Sequence, residues 1–217
     1  MLSQSILFMD LITFFIYSFG SIFVIVSPLD GVVTFVSMTS GMSNKQRQIL
    51  GRKAVFLACA ISLFFALTGD IMLRLFSINV DSLRVAGGIL LFKVAFDMMM
   101  AHISRESITQ GEINESLGRN DVWIFPIALP ILAGPGLITT VIVLMDSTYL
   151  VLNKMVVLAA IVLTFFVCLV LFHFAHKVYE WLGYTGMLVF TRLMGLFLAA
   201  LAVDFVTKGL FNIFNAL

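Results

Sequence analysis

Asp30 stands between a proline and a glycine in an otherwise apolar run, "IVSPLDGVVTF". A carboxylate so placed can carry a proton, pair with the ammonium group of a substrate, or cap a helix that restarts after Pro28. A second apolar run holds "PILAGPGLITT", where Gly134, Pro135 and Gly136 together disfavour a helix. Pro28 removes a backbone donor and Gly31 tolerates unusual dihedrals, so both runs are expected to contain broken or re-entrant helices. Breaks inside lipid leave unpaired N–H and C=O groups, each costing several kcal/mol unless protein, water or a ligand satisfies them. The free amides of the restarting half-helix suit an anion and the frayed carbonyls before it suit a cation, so two facing breaks can hold both ends of a zwitterion. Ser27, beside the first break, and Thr34, Thr139 and Thr140, just inside the restarting helices, add hydroxyls.

Composition says what must position these residues. Of 217 residues, 61% are hydrophobic and 12% charged, and the mean hydropathy is +1.09. That is the composition of an integral membrane protein, its apolar stretches reaching the ~18–20 residues a spanning helix needs. Residues 8–40 would make a straight helix of ~50 Å against a hydrocarbon core of ~30 Å, which is further reason to expect a break there. The N-terminus reads as a first span and not a cleaved signal. A net charge of +1 argues against a nucleic-acid surface. The expected partners are instead the lipid bilayer and a small-molecule substrate.

Six spans are expected: 8–40, 54–76, 82–101, one beginning near Trp123, 153–174, and a last within 188–214, with "SNKQRQILGRK" a basic loop after the first. Residues 102–121 form the longest polar loop. Lys45, Arg47, Arg52, Lys53, Arg105, Arg119 and Lys177 fall on one side of this arrangement, against Arg74, Arg84, Lys154 and Lys208 on the other. The positive-inside rule then turns both termini outward.

The chain repeats itself. Arg84 follows Pro28 by 56 residues and Arg192 follows Pro135 by 57, and each arginine opens an Arg-x-x-Gly…Asp span. Asp97 and Asp204 close these two spans and are, with Asp30, the candidates for proton coupling. Three spans per half force the second copy to enter the membrane from the opposite side, an inverted-topology repeat. The expected fold is therefore a single all-α transmembrane domain over residues 1–217. Repeat one covers about 8–101, the polar loop 102–121 and repeat two about 122–214, with the first and fourth helices broken.

Several other residues have plainer explanations. Lys93 and Asp97, at i and i+4, share a helix face and read as an internal pair; Asp70 and Arg74 repeat that spacing near a membrane boundary, as a solvated pair. Cys59 and Cys168 sit in apolar runs as small hydrophobes. His173 and His176 occupy one helix turn with no acidic or cysteine partner nearby in sequence, so neither a metal nor a cofactor is expected. Catalytic motifs such as His-Glu-x-x-His and Gly-x-Ser-x-Gly are absent from the sequence, so an enzyme is not expected.

"FPIALPILAGPGLITT" closely resembles the signature of the MarC family, also called UPF0056 or SnatA-type, of six-span inner-membrane proteins. "AGGILLF" and the Gly-Asp-x-x-x-Arg pattern of "TGDIMLRLF" share the resemblance. It covers nearly the whole chain and implies a transporter of small neutral amino acids such as glycine and alanine, proton-coupled or exporting; export of another metabolite or a drug, or ligand binding without flux, are the alternatives. The resemblance breaks down in the first half, where the family pattern Asp/Asn-Pro-Leu-Gly-Asn-x-Pro-x-Phe meets Ser27-Pro28-Leu29-Asp30-Gly31-Val32-Val33-Thr34-Phe35. Ser27, Asp30 and Val33 are departures at the proposed site. Read from the two breaks, the expected substrate-binding residues are Ser27, Pro28, Asp30, Gly31, Thr34, Gly134, Pro135, Gly136, Thr139 and Thr140.

Overall fold

The computed structural model describes residues 2–39, 41–100, 123–148 and 150–215. These form eight helical elements and, among the described residues, no strand: α1 (Leu2–Val26), α2 (Pro28–Met38), α3 (Asn44–Leu75), α4 (Val80–Met99), α5 (Trp123–Leu132), α6 (Pro135–Asp146), α7 (Val151–His173) and α8 (Ala175–Asn215). The expected polar loop at 102–121 lies outside the described residues.

Both breaks fall at the prolines. α1 and α2 together make one span, Asp10–Met38, interrupted at Ser27, which adopts a left-handed conformation (φ 42°). Pro28 opens α2 at the position where a missing N–H costs least. α5 is wound loosely as a π-helix, with extended backbone at Phe125 and Leu129, and meets α6 at a bend of 53°. Among the described residues, four stretches are long and apolar enough to cross a membrane, or five if α5 and α6 count as one broken span. The expected third span, α4, falls short of that standard because its twenty residues carry Asp81, Arg84, Lys93 and Asp97.

Two boundaries differ from the sequence expectation. α3 begins at Asn44, inside the stretch read as a basic loop, because Ser43 and Gln46 form a reciprocal capping box: the Ser43 amide donates to Gln46 Oε1 at 3.0 Å and the Gln46 amide to Ser43 Oγ at 3.4 Å. α8 begins at Ala175, well before the expected sixth span, and turns sharply at Gly183 (φ 63°), a conformation open to glycine.

Helix neighbours pair across the two halves. α4 packs along α8 and α3 along α7; α2 lies on α8 as α6 lies on α4; α1 meets α7 as α5 meets α3. The α4–α8 seam is the tightest. A Cβ added at Gly88, Gly195 or Gly209 would come within 2.9, 3.0 and 2.9 Å of the carbonyl oxygens of Ala202, Ala95 and Asp81 respectively. Small residues that bring backbones together are the usual means of joining helices in lipid, where the hydrophobic effect offers little. Side-chain hydroxyls follow the same economy of polar groups: Ser62 and Thr164 each donate to the carbonyl four residues back, at 2.7 and 2.9 Å.

Gly87 faces α6. Its absent Cβ would stand 2.1 Å from Thr139 Cγ2 and 2.8 Å from Thr139 Cβ. Gly87→Ala is therefore expected to destabilise the protein by about 1–3 kcal/mol through overpacking, and Thr139→Ala in the same chain, which removes the closest atom, to recover part of the loss. Thermal unfolding of the single and double variants in detergent checks this; a double variant no more stable than Gly87→Ala removes Thr139 as the obstacle.

Several charged residues pair near helix ends. Arg84 Nη1 donates to Asp81 Oδ1 at 2.9 Å, and Asn212 Nδ2 reaches the same oxygen at 2.9 Å, fastening the start of α4 to the end of α8. Arg74 and Asp70 form the expected solvated pair at 3.0 Å, both well exposed. Cys59 and Cys168 are free thiols, the second fully buried. His176 does have an acidic neighbour, Glu180 Oε1 at 3.2 Å, one helix turn on and exposed to the same degree.

Candidate functional site

A cavity of about 360 Å³ opens where the two breaks approach α4 and α8. Its polar wall comes from α2. Ser27, Asp30, Gly31 and Thr34 all line it, as their spacing on one helical face requires. Gly134, Pro135 and Gly136 line it from the break before α6. The two discontinuities, more than a hundred residues apart in sequence, thus meet at one cavity.

Three of the residues expected there do not reach it. Pro28 is buried at the start of α2. Thr140 is turned back on its own helix, its hydroxyl donating to the Gly136 carbonyl at 2.8 Å. Thr139 is buried against Gly87. Of the three proton-coupling candidates, Asp30 and Asp97 line the cavity, whereas Asp204 does not; its Oδ2 accepts from Lys208 Nζ at 2.8 Å near the far end of α8.

Asp30 is not a helix cap. Its carboxylate receives hydroxyl hydrogens: Ser27 Oγ donates to Oδ2 at 3.1 Å, and Thr191 Oγ1 of α8 donates to Oδ1. Ser27 makes no capping hydrogen bond to the helix it precedes, and Gly134, which has no side chain, opens α6 uncapped. At the second break the amides of Leu137 and Ile138 both turn back to the Gly134 carbonyl, at 3.0 and 3.1 Å. The restarting half-helix therefore has fewer free donors than a simple N-terminus offers.

α4 and α8 supply side chains that the sequence did not single out for this site. Lys93 joins Asp97 on the α4 wall, and Tyr184 and Thr191 line it from α8. Thr191 has no local signal beyond being a polar residue in "VFTRLMG"; its role depends on a partner 161 residues away. The remaining wall is mostly aliphatic, with Ile25, Leu91, Val94, Met98 and Leu188 prominent. Among the described residues no group of three or more His, Cys, Asp or Glu side chains is placed to hold a metal ion.

Long apolar helices, a proline-broken pair among them, and a partly polar cavity at the breaks define a polytopic helical membrane protein. The sequence matches the profile of the MarC family integral membrane proteins over residues 12–214. It is 36% identical to UPF0056 membrane protein MJ1677 of Methanocaldococcus jannaschii, over 93% of this chain and 98% of the relative. It is 34% identical to UPF0056 membrane protein YvbG of Bacillus subtilis, over 94% and 98% respectively. Identity to UPF0056 membrane protein YhcE of Escherichia coli is 33%, over 97% of each chain. The chain belongs to the MarC family, as its motifs led us to expect. No solved structure matches it.

Proposed function

We propose that this protein is a secondary transporter of small neutral amino acids, glycine- or alanine-like, that works by alternating access around the cavity. The observation that carries the reading is the convergence of both helix breaks on one cavity with a carboxylate in its wall. Its volume lies near the lower end of the ~300–1,000 Å³ range of small-molecule sites, which favours a small solute. Ser27, Asp30, Gly31, Thr34 and Gly134 to Gly136 contact the substrate, with Asp30 the leading group for proton coupling and Asp97 the second. Family membership supports a membrane role and leaves the substrate to experiment.

The transport reading includes the inverted repeat. The exchange of helix neighbours between halves supports it, as do two positive-φ residues 106 positions apart, Ser77 (φ 53°) just before α4 and Gly183 (φ 63°) at the turn within α8. On this reading α4 is a sixth span, its charges held by protein contacts, and both termini face outward from the inner membrane.

Uptake of labelled glycine, alanine and serine into proteoliposomes tests the proposal, with flux expected for at least one and altered by an imposed pH gradient. No protein-dependent flux with any of them, under either gradient, sinks the substrate assignment. The largely aliphatic wall favours one second reading, export of a more apolar metabolite. Larger apolar solutes belong in the same assay, because flux of these alone selects that reading. Stabilisation by a ligand without any flux selects a binding protein instead.

A further inference from the structure

Asp30 presents a carboxylate whose charge the surrounding protein does not cancel. Both of its hydrogen-bond donors, Ser27 and Thr191, are neutral hydroxyls, and among the described residues no cationic side chain forms an ion pair with it. A carboxylate has about four lone-pair sites, so two hydroxyl donors leave capacity on the cavity side. A buried charge without a counter-charge is costly in a membrane interior, so the site favours an occupant that brings positive charge.

We infer that Asp30, Ser27 and Thr191 form a binding point for a primary ammonium group, with Thr191 the positioning residue that holds the carboxylate from α8. This deepens the transport reading, and it rests on that reading for the bound amine being cargo. An ammonium group has three donors and no acceptor. Ser27 at the break and Asp30 and Thr34 on α2 present oxygens to receive them, and all three line the cavity. Hydroxyls that donate to Asp30 keep their own lone pairs for the ligand. N–H···O bonds with both partners ionised are roughly twice as strong as neutral ones. The wall beyond α2 carries Lys93 and Asp97 on α4 but is otherwise largely aliphatic, with Leu91, Val94 and Met98 suited to a short aliphatic body.

Thr191 matters because of where it stands. Ser27, at the break, and Asp30, in the first turn of α2, hold each other locally, but Thr191 reaches Asp30 from the other half of the chain. Its hydroxyl occupies Oδ1 and so directs the remaining acceptor capacity of the carboxylate toward the cavity. A valine in its place keeps the shape of the side chain and loses that direction; a serine keeps the hydroxyl.

The test uses the purified full chain in detergent, with n-propylammonium chloride as the probe and n-propanol and sodium chloride as matched controls. Thermal unfolding is expected to shift upward with the amine and with neither control. Thr191→Val should weaken the apparent affinity about tenfold, the loss of one hydrogen bond to a charged group. Thr191→Ser should restore it, and Asp30→Asn should abolish the response. The inference is overturned by an equal response to sodium chloride or propanol, by no response to the amine, or by Thr191→Val binding like the wild type. Amine binding with the expected variant pattern, alongside no flux of glycine, alanine or serine, upholds the ammonium site while the amino-acid transport reading fails.

Discussion

Asp30→Asn is expected to leave a folded protein whose transport no longer responds to an imposed pH gradient. The asparagine is nearly isosteric, and its carbonyl oxygen can still accept the Thr191 hydroxyl that Asp30 Oδ1 accepts now. Removing the charge also lowers the cost of burying this side chain in the membrane interior, so the unfolding temperature should hold or rise. Gradient-driven flux should fall by about tenfold or more, the scale set by losing a hydrogen bond between charged partners, and residual flux should be flat with pH. Asp204→Asn provides the contrast. Asp204 lies off the cavity against Lys208 and should leave the pH profile of flux as it was. An Asp30→Asn protein with unchanged pH dependence would take Asp30 out of the coupling step.

Gly134→Ala should act on folding. The Gly134 backbone (φ −77°, ψ 171°) is one any residue can adopt, so conformational freedom is not the reason for glycine. Space is. An added Cβ would stand 2.7 Å from the carbonyl oxygen of Pro130, a backbone atom with nowhere to go. Neighbouring hydrogen bonds hold the turn: the Ala133 amide donates to the Ala128 carbonyl at 2.9 Å, and the Gly134 carbonyl receives two amides of α6. The expected cost is about 1–3 kcal/mol, the usual range for overpacking, read as a lower unfolding temperature and a lower yield of monodisperse protein. Gly20→Ala is the control, because nothing lies within 4 Å of the Cβ it would add. Equal stability of the two variants would mean that the break tolerates a wider turn than its geometry indicates.

Much of this architecture was legible from residue type alone. Proline has no amide hydrogen and glycine no Cβ, so Pro28 and the Gly134-Pro135-Gly136 triplet marked both breaks without any tertiary information. The start of α3 was equally local, since Ser43 and Gln46 carry the capping-box spacing; the basic residues that follow made a loop the easier reading. Thr139 and Thr140 stand off the cavity for a different reason. Proximity to a break does not fix which way a side chain points, and Thr140 satisfied its own hydroxyl within α6. Thr191 could not have been found at all from its surroundings. Its meaning comes from a carboxylate on another helix, and one sequence carries no record of that pairing.

The glycine seam between α4 and α8 has a mechanical consequence. Where backbones touch with no side chains between them, neither helix can slide or roll without its carbonyls colliding, so the two behave as one keel. Any change in which side the cavity faces must then be carried by the jointed arms, α1–α2 hinged at Ser27 and α5–α6 hinged at Gly134. The Asp30–Thr191 contact ties the first arm to that keel, and on the proposed transport reading an occupant of the carboxylate would hold or release it.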